Sequence, residues 1–239
     1  MSEVKKDVPP LVTIETSSFC NRHCEWCPQH DHHRIQEKLP DDLFDKVIKE
    51  LAEVGFEGKI GLHFFNEPLL DDRLEDMIVK IKKTIKSSIV YIHTNGDAMT
   101  SARLRSLLNA GLDGCQINQY EQEVSEGIKT LLDETTDDEK AKFSVRMFGH
   151  RHIFNRAGLV KTRRQVPIQK QCRRIRQMCV NYKGDVVLCC NDFFGQVCVG
   201  NVRDSNVIDL YNSPVLKDYR YKLRRGRRAL LKLCDKCDL

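Results

Sequence analysis

Three cysteines lie close together near the start of the chain, in the stretch SSFCNRHCEWCPQH. Cys20, Cys24 and Cys27 are separated by three and then two residues. Thiolates bind zinc and iron–sulfur clusters, and both kinds of site usually take four protein ligands. Three cysteines leave one iron of a cubane open to a small molecule. The spacing therefore favours an iron–sulfur cluster with a free coordination position over a zinc knuckle completed by a histidine of HDHH.

Short apolar segments that read as strands alternate with amphipathic, helix-like segments as far as residue 148. The candidate strands are LVTIETS (11–17), KIGLHFF (59–65), SIVYIHT (88–94), GCQINQY (114–120) and KFSVRMF (142–148). This alternation requires right-handed crossovers and a parallel sheet. About five or six strands cannot close an eight-stranded barrel. We therefore predict an α/β fold, an open partial (β/α) barrel over 1–165, followed by a small hairpin and helix region over 166–239.

The composition is that of a folded globular protein, with 41% hydrophobic and 31% charged residues. No apolar run approaches the roughly 20 residues that span a bilayer, and the N-terminus lacks the apolar core of a secretory signal. We expect a cytoplasmic protein without a membrane partner, in which thiols stay free. The net charge of +5 is concentrated in segments such as YRYKLRRGRRALLK. We interpret these segments as solvated helix faces and expect no nucleic-acid partner.

The cysteine loop leaves the first predicted strand at the end where parallel sheets carry their active sites. Its spacing, with Trp26 before the third cysteine, resembles the signature of the radical S-adenosylmethionine (SAM) family. The resemblance implies a [4Fe–4S] cluster that binds SAM through its open iron. It also assigns SAM contacts to polar residues at successive strand ends, although both glycines of the family's Gly-Gly-Glu turn are replaced in FFNEP. The assigned residues are Trp26, Asn66, Glu67, Thr94, Asn95, Asp97 and Gln119.

The cysteines of the last third are similar in spacing to the start of the SPASM extension of radical SAM enzymes. The resemblance implies the shortened form called twitch, with one auxiliary [4Fe–4S] cluster, and we weigh it against a zinc site. Its ligands would be Cys172, Cys189, Cys234 and Cys237. A two-residue turn at Lys183-Gly184 would pair Met178 with Cys189, so that Cys189 points away from its neighbours. We interpret the others as buried small hydrophobes: Cys115, Cys179, Cys190 and Cys198.

The motifs GKIGLHFFNEPLL, YIHTNGD, FNRAG and GDVVLCCNDF resemble those of short radical SAM dehydrogenases acting on aminocyclitols. The resemblance implies a 5′-deoxyadenosyl radical that removes a hydrogen atom from a hydroxyl-bearing carbon of a small molecule. The auxiliary cluster would accept the second electron, and a flavodoxin or ferredoxin would supply the first. Arg156 would contact the substrate or clamp backbone carbonyls. His152 and Asp192 are alternative bases.

Three other functions fit the sequence. Radical modification of a ribosomally made peptide, by epimerisation, crosslinking or backbone excision, would make a peptide the substrate. A carbohydrate epimerase would use a cysteine such as Cys190 or Cys198 as hydrogen-atom donor. A non-catalytic iron–sulfur redox sensor would not need SAM-binding residues at several strand ends.

Overall fold

The structure is a computed structural model that describes residues 6–148, 154–163, 165–167 and 169–239. In these ranges eight strands form one sheet in the order β5-β4-β3-β2-β1-β6-β7-β8. The pairs among β1 to β6 are parallel, and β7 and β8 are antiparallel to their neighbours. The strands are β1 (Leu11–Ile14), β2 (Lys59–Gly61), β3 (Ile89–Thr94), β4 (Gly114–Gln119), β5 (Phe143–Met147), β6 (Met178–Val180), β7 (Asp185–Val187) and β8 (Cys198–Asn201).

Helices connect the parallel strands and cover one face of the sheet. The helix α1 buries Leu43, Val47 and Leu51 on one stripe, as its apolar spacing predicts. These residues belong to the same buried core as Val12 and Ile14 of β1. The helices are α1 (Asp41–Glu53), α2 (Leu74–Thr84), α3 (Ser101–Ala110), α4 (Glu126–Glu134), α5 (Asp137–Lys140), α6 (Val207–Tyr211) and α7 (Pro214–Arg224).

The opposite face of the sheet carries polar side chains. Along β3, Tyr91 and His93 alternate with the fully buried Val90 and Ile92. His63 stacks on His93 with ring centroids 4.1 Å apart and contacts Tyr91 edge-on at 5.0 Å. The helix-covered face is thus the apolar core, and the other face is the inner surface of the partial barrel. Side-chain alternation along parallel strands produces this division.

The sheet continues into the C-terminal region. The strand β6 pairs in parallel with β1, with Thr13 opposite Cys179, and the β7 and β8 strands extend the sheet at that edge. The parallel sheet therefore has six strands, which agrees with the predicted partial barrel. Among the described residues, no helix is long and apolar enough to cross a bilayer.

The predicted register of the β6–β7 hairpin is wrong by one residue. Cys179 pairs with Val187, not with Leu188, and four residues (181–184) lie between the two strands instead of a two-residue turn. The cause is Asn181, whose side-chain oxygen accepts hydrogen bonds from the backbone N–H groups of Lys183 and Asp185 at 3.0 and 2.9 Å. Such an Asx turn widens the loop. Because β7 ends at Val187, Cys189 and Cys190 lie in the segment after the strand.

Two further expectations for the C-terminal region need correction. Cys198 is exposed, not buried, because it lies at the start of the edge strand β8, and Cys190 is only partly buried. The basic segment is not wholly a solvated face, since Arg220 is 5% exposed and Arg228 is 1% exposed. Arg228 donates hydrogen bonds to the carbonyl oxygens of Lys170, Cys237 and Leu239. A buried guanidinium satisfied by carbonyls acts as a structural clamp, here on the segment that carries the last cysteine pair.

Candidate active site

The first three cysteines lie in the loop after β1, where the sequence predicts them. Cys20, Cys24 and Cys27 are partly buried free thiols, and the Cys27 N–H closes a turn on the Cys24 carbonyl at 2.8 Å. Burial raises the pKa of all three thiols, that of Cys24 to about 11, and the nearby Cys27 raises the pKa of Cys20 and of Cys24 further. Three mutually close, desolvated thiols are held as thiolates when a cationic iron centre binds them.

An ion-pair network fixes this loop to the ends of β3 and β4. Arg22, between the first two cysteines, contacts both carboxylate oxygens of Asp97 at 2.7 and 2.5 Å and Glu121 at 2.8 Å. Asn21 donates to Asp97 at 2.8 Å and accepts from Asn95 at 2.9 Å. Hydrogen bonding to Arg22 lowers the pKa of Asp97. Asp97, predicted as a SAM contact, is therefore engaged by the cysteine loop itself.

Glu67 joins the ends of β2 and β3. Its buried carboxylate accepts hydrogen bonds from Thr94 Oγ1 at 2.5 Å, the Asn95 N–H at 2.7 Å and the Leu69 N–H at 3.1 Å. Burial raises its pKa in spite of these bonds. A carboxylate offers about four lone-pair positions, so one remains on Oε2 for an incoming donor. An ammonium group is such a donor.

Two other predicted SAM contacts hold strand ends together. The Gln119 side chain donates to the Asn95 carbonyl at 3.1 Å and accepts from the Ser125 N–H at 3.0 Å. Asn66 accepts from the Phe64 N–H at 2.9 Å and donates to Thr16 Oγ1 at 3.3 Å. Gln119 is 1% exposed. These contacts give both side chains a structural role at the rim of the site.

Aromatic rings border the cysteine loop on the β4–β5 side. Trp26, the chain's only tryptophan, lies 4.8 Å from Tyr120 between ring centroids. Tyr120 contacts Phe148 at 5.4 Å, and the Arg146 guanidinium lies 4.6 Å above the Phe148 ring. Trp26, a predicted SAM contact, is thus packed on Tyr120 at the end of β4.

The second cysteine set surrounds a largely apolar cavity. The four thiols predicted as auxiliary ligands all line it, and Cys190 does not. Asn191 donates its backbone N–H to Cys189 Sγ at 3.5 Å and its side-chain amide to Cys237 Sγ at 3.4 Å. Four thiols with amide donors directed at their sulfurs suit an iron–sulfur cluster. Among the described residues, no three His, Cys, Asp or Glu side chains converge on the position of a single metal ion.

Cys190 lies outside the cavity, although the register from which its exclusion was argued is wrong. Its sulfur accepts a hydrogen bond from Arg174 Nη1 at 3.5 Å. Cys179 is fully buried, and Gln177 donates to its sulfur at 3.2 Å. Neither thiol lines the cavity of the second set.

Arg156 lies between the two cysteine sets. Its Nη1 donates to Asn191 Oδ1 at 3.4 Å, while its Nε is buried without a hydrogen-bond partner. Burial raises the pKa of Cys27, and the positive charge of Arg156 opposes that shift, which places the guanidinium near the first set as well. Arg156 and Ala157 have φ of 48° and 57°. Left-handed backbone at two successive non-glycine residues costs roughly 1–3 kcal/mol each and is often associated with functional sites.

Asp192 is one of the two predicted bases. Asp192 is 1% exposed, and its two carboxylate oxygens accept from the backbone N–H groups of Gln196 and Val197 at 2.7 and 3.0 Å. These contacts support a structural role in the loop that follows the cysteines. His152 lies outside the described residues.

The sequence analysis did not predict the buried ion pair between Glu15 and Arg34. The two side chains are 0% and 8% exposed and meet at 2.8 Å, and the guanidinium lies 4.8 Å from the Phe193 ring. Glu15 also accepts the N–H groups of Phe65 and Tyr182. The signal was a carboxylate inside the apolar strand LVTIETS, which requires a partner when buried. Arg34 therefore links the segment after Cys27 to Glu15, just after β1, and to Phe193 in the loop after Cys190.

We expect Arg34→Met to lower the free energy of unfolding by about 3–5 kcal/mol, because it leaves the buried Glu15 unpaired. Chemical denaturation would measure the loss. The double variant Glu15→Gln/Arg34→Met should recover part of it, since no charge is then buried alone. Lys49→Met, which breaks an exposed pair with Glu53, should change little. Equal losses in Arg34→Met and Lys49→Met would contradict the structural role of the buried pair.

The inner face of the sheet supplies a second group of missed residues. Burial lowers the pKa of His93 to about 4, with smaller effects from Arg174 and Arg146, and burial also lowers the pKa of His63. Both imidazoles are therefore neutral at pH 7. His63 Nδ1 is buried without a hydrogen-bond partner. The alternation of SIVYIHT predicts the face that His93 occupies, but a single histidine gave no reason to assign it a role.

Two family models match this chain. One describes the radical SAM superfamily and covers residues 14–119, and the other describes the iron–sulfur cluster-binding SPASM domain and covers residues 172–238. The chain belongs to the radical SAM superfamily. It is accordingly a radical SAM enzyme whose cofactors are SAM and a [4Fe–4S] cluster, and its SPASM-type region adds an auxiliary cluster. The thiols of both sites, and the amide donors of Asn191 at the second, fit these groups.

Similar proteins cover nearly the whole chain. The SAM-dependent 2-deoxy-scyllo-inosamine dehydrogenase of Niallia circulans is 25% identical over 237 residues, which are 95% of this chain and 92% of that protein. The crystal structure of BtrN in complex with AdoMet and 2-DOIA superimposes with a TM-score of 0.89 at 24% identity, covering 98% and 95% of the two chains. Streptococcus suis SuiB bound to precursor peptide SuiA gives a TM-score of 0.56 at 14% identity, covering 96% of this chain and 70% of SuiB. The predicted radical SAM fold is confirmed.

Proposed function

We propose that this protein is a radical SAM dehydrogenase that oxidises a hydroxyl group of a small polyhydroxylated molecule of the aminocyclitol class to a ketone. The observation that carries the proposal is the position of Arg156, which bonds to Asn191 of the auxiliary site and whose charge is felt at Cys27 of the first site. The relative that matches along nearly its full length is a dehydrogenase. A cationic side chain between the two sites supports a reaction in which both sites act on one substrate.

When bound, SAM with its cluster supplies a 5′-deoxyadenosyl radical for hydrogen abstraction, and the auxiliary cluster supplies an acceptor for the second electron. The substrate balance is then complete: the hydroxyl-bearing carbon loses a hydrogen atom, the hydroxyl loses a proton, and one electron leaves. The product is two hydrogens lighter than the substrate. An external one-electron donor such as a flavodoxin or ferredoxin would reduce the first site.

The chain's own residues bind and orient the reactants. Cys20, Cys24 and Cys27 would hold the first cluster, and Glu67 retains one lone-pair position for the amino group of SAM. The auxiliary cluster would be held by Cys172, Cys189, Cys234 and Cys237.

The substrate-facing groups are donors and neutral imidazoles. Arg156 has a buried Nε without a protein partner, which can donate to a hydroxyl oxygen of the substrate. A guanidinium beside that oxygen favours loss of the hydroxyl proton by stabilising developing negative charge. His63 and His93, on the inner face of the sheet, are suited to hydrogen bonding with further hydroxyl groups.

The competing functions have weaker support. A redox sensor would not need the bonded polar residues at the ends of β2, β3 and β4. For peptide modification the comparison with SuiB supports the fold alone, at 14% identity. Epimerisation would need a thiol at the substrate, and Cys198 is exposed on the edge strand β8.

We expect the reconstituted protein, given SAM, a one-electron reductant and an aminocyclitol, to form one 5′-deoxyadenosine per molecule of ketone. Quantifying both products by chromatography and mass spectrometry tests the proposal. The matched control substrate lacks the reacting hydroxyl. Ketone formation in excess of 5′-deoxyadenosine, or 5′-deoxyadenosine formed equally with the deoxy control, would count against a dehydrogenase.

A further inference from the structure

We infer that Asn191 is a positioning residue that sets the reduction potential of the auxiliary site and couples it to Arg156. The inference rests on the proposed function, in which the auxiliary cluster accepts an electron from the substrate. Asn191 follows the two adjacent cysteines and is 2% exposed. It is the one described side chain that bonds both to an auxiliary thiol and to the arginine between the two sites.

Three hydrogen bonds define the role of Asn191. Its backbone N–H donates to Cys189 Sγ at 3.5 Å, and its Nδ2 donates to Cys237 Sγ at 3.4 Å. Its Oδ1 accepts from Arg156 Nη1 at 3.4 Å. One residue therefore contacts two of the four thiols that line the cavity, which come from separate parts of the chain.

The chemistry of the guanidinium fixes the orientation of the amide. A guanidinium has donors and no acceptor, so only the oxygen of Asn191 can face Arg156. The Nδ2 group must then point the other way, toward Cys237. Turning the amide over would set Nδ2 against Nη1 and Oδ1 against the sulfur. Arg156 thereby keeps an N–H donor directed at the sulfur.

Hydrogen bonds to cluster sulfurs influence the reduction potential. An N–H donor stabilises negative charge on the sulfur, and reduction adds negative charge, so the bond favours the reduced form. The effect is strengthened where water is excluded, and Cys237 is 8% exposed. Removing the Nδ2 donor should lower the potential and make the cluster a weaker electron acceptor.

The experiment isolates the auxiliary cluster. In the Cys20→Ala/Cys24→Ala/Cys27→Ala background, only the second site should hold a cluster, and its midpoint potential can be measured by redox titration followed by electron paramagnetic resonance. We expect Asn191→Leu, which is close in size and uncharged, and Asn191→Ala to lower the potential. A tenfold change in the reduction equilibrium corresponds to 59 mV for a one-electron couple, and we expect a shift of that order.

Asn212→Ala is the matched control. Asn212 is also a buried asparagine, 9% exposed, and it bonds to Asp7 and Ile208 far from any proposed ligand in sequence. Its variant should keep the potential of the unmodified background. A potential unchanged in both Asn191 variants would overturn the inference. So would loss of auxiliary iron from both, because Asn191 would then serve assembly.

The measurement separates this inference from the proposed function. The potential is read without substrate, so a failure to oxidise any alcohol would leave its outcome intact. In the otherwise unmodified enzyme, a lower potential should appear as uncoupling, with at least tenfold more 5′-deoxyadenosine per ketone in Asn191→Leu and an unchanged ratio in Asn212→Ala. Unchanged coupling in Asn191→Leu, together with a lowered potential, would refute the link between the potential and substrate oxidation.

Discussion

Replacing Cys20, Cys24 and Cys27 together by alanine is expected to abolish reductive cleavage of SAM and to remove about half of the iron, since each of two four-iron clusters has its own ligands. The three thiols lie in one loop fixed by Arg22 to Asp97 and Glu121. Nothing else in that loop provides a thiolate. Iron determination and chromatography of 5′-deoxyadenosine measure the two losses.

The control for this triple variant is Cys115→Ala, which removes a buried thiol of β4. It should retain full iron content and SAM cleavage. The triple variant should also retain its fold, because the ion pairs that hold the loop are intact. SAM cleavage that survives in the triple variant would refute the assignment of the first site.

Replacing Cys234 by alanine is expected to remove the other half of the iron, and replacing Cys190 is not. Cys234 lines the cavity of the second site, whereas Cys190 lies outside it beside Arg174. Metal binding contributes directly to folding where a segment has little core of its own. We therefore expect a lower thermal midpoint in Cys234→Ala than in Cys190→Ala, measured by circular dichroism.

The Cys234 variant should keep SAM cleavage and lose ketone formation. SAM cleavage depends on the first site and should persist, while ketone formation should fall at least a hundredfold because the second electron has no acceptor. Cys190→Ala should keep both activities. Iron loss of equal size in the two variants would show that Cys190 also binds the auxiliary cluster.

Local patterns in the sequence were enough to predict the barrel elements. The stripe of Leu43, Val47 and Leu51 defines α1 without knowledge of its partners, and the alternation in SIVYIHT identifies β3. The pairing of β6 with β1 could not be predicted in this way, because it joins residues about 165 positions apart. The hairpin register was missed because one side chain, Asn181, decides the loop length.

The sequence indicates which strand ends carry polar residues better than it indicates the contacts that those residues make. Polar residues at the ends of parallel strands must meet at one edge, and Glu67 and Asn95 do meet there. The ion pairs of Arg22 with Asp97 and of Arg34 with Glu15 were not predicted, since each arginine reaches across the fold to its carboxylate. Long side chains satisfy buried charges over distances that sequence periodicity does not encode. Asn191 was missed because its partners, Arg156 and Cys237, lie 35 and 46 positions away in the sequence.

The most direct test of the dehydrogenase proposal is the mass of the product formed in deuterated water. Oxidation transfers the substrate hydrogen to 5′-deoxyadenosine and yields a ketone, so the product should be two hydrogens lighter than the substrate, with no deuterium at the reacting carbon. If a thiol such as Cys190 instead returned a hydrogen atom to the substrate radical, exchange with solvent would deliver deuterium to that carbon. A product with the substrate's composition and one added deuterium would contradict the account.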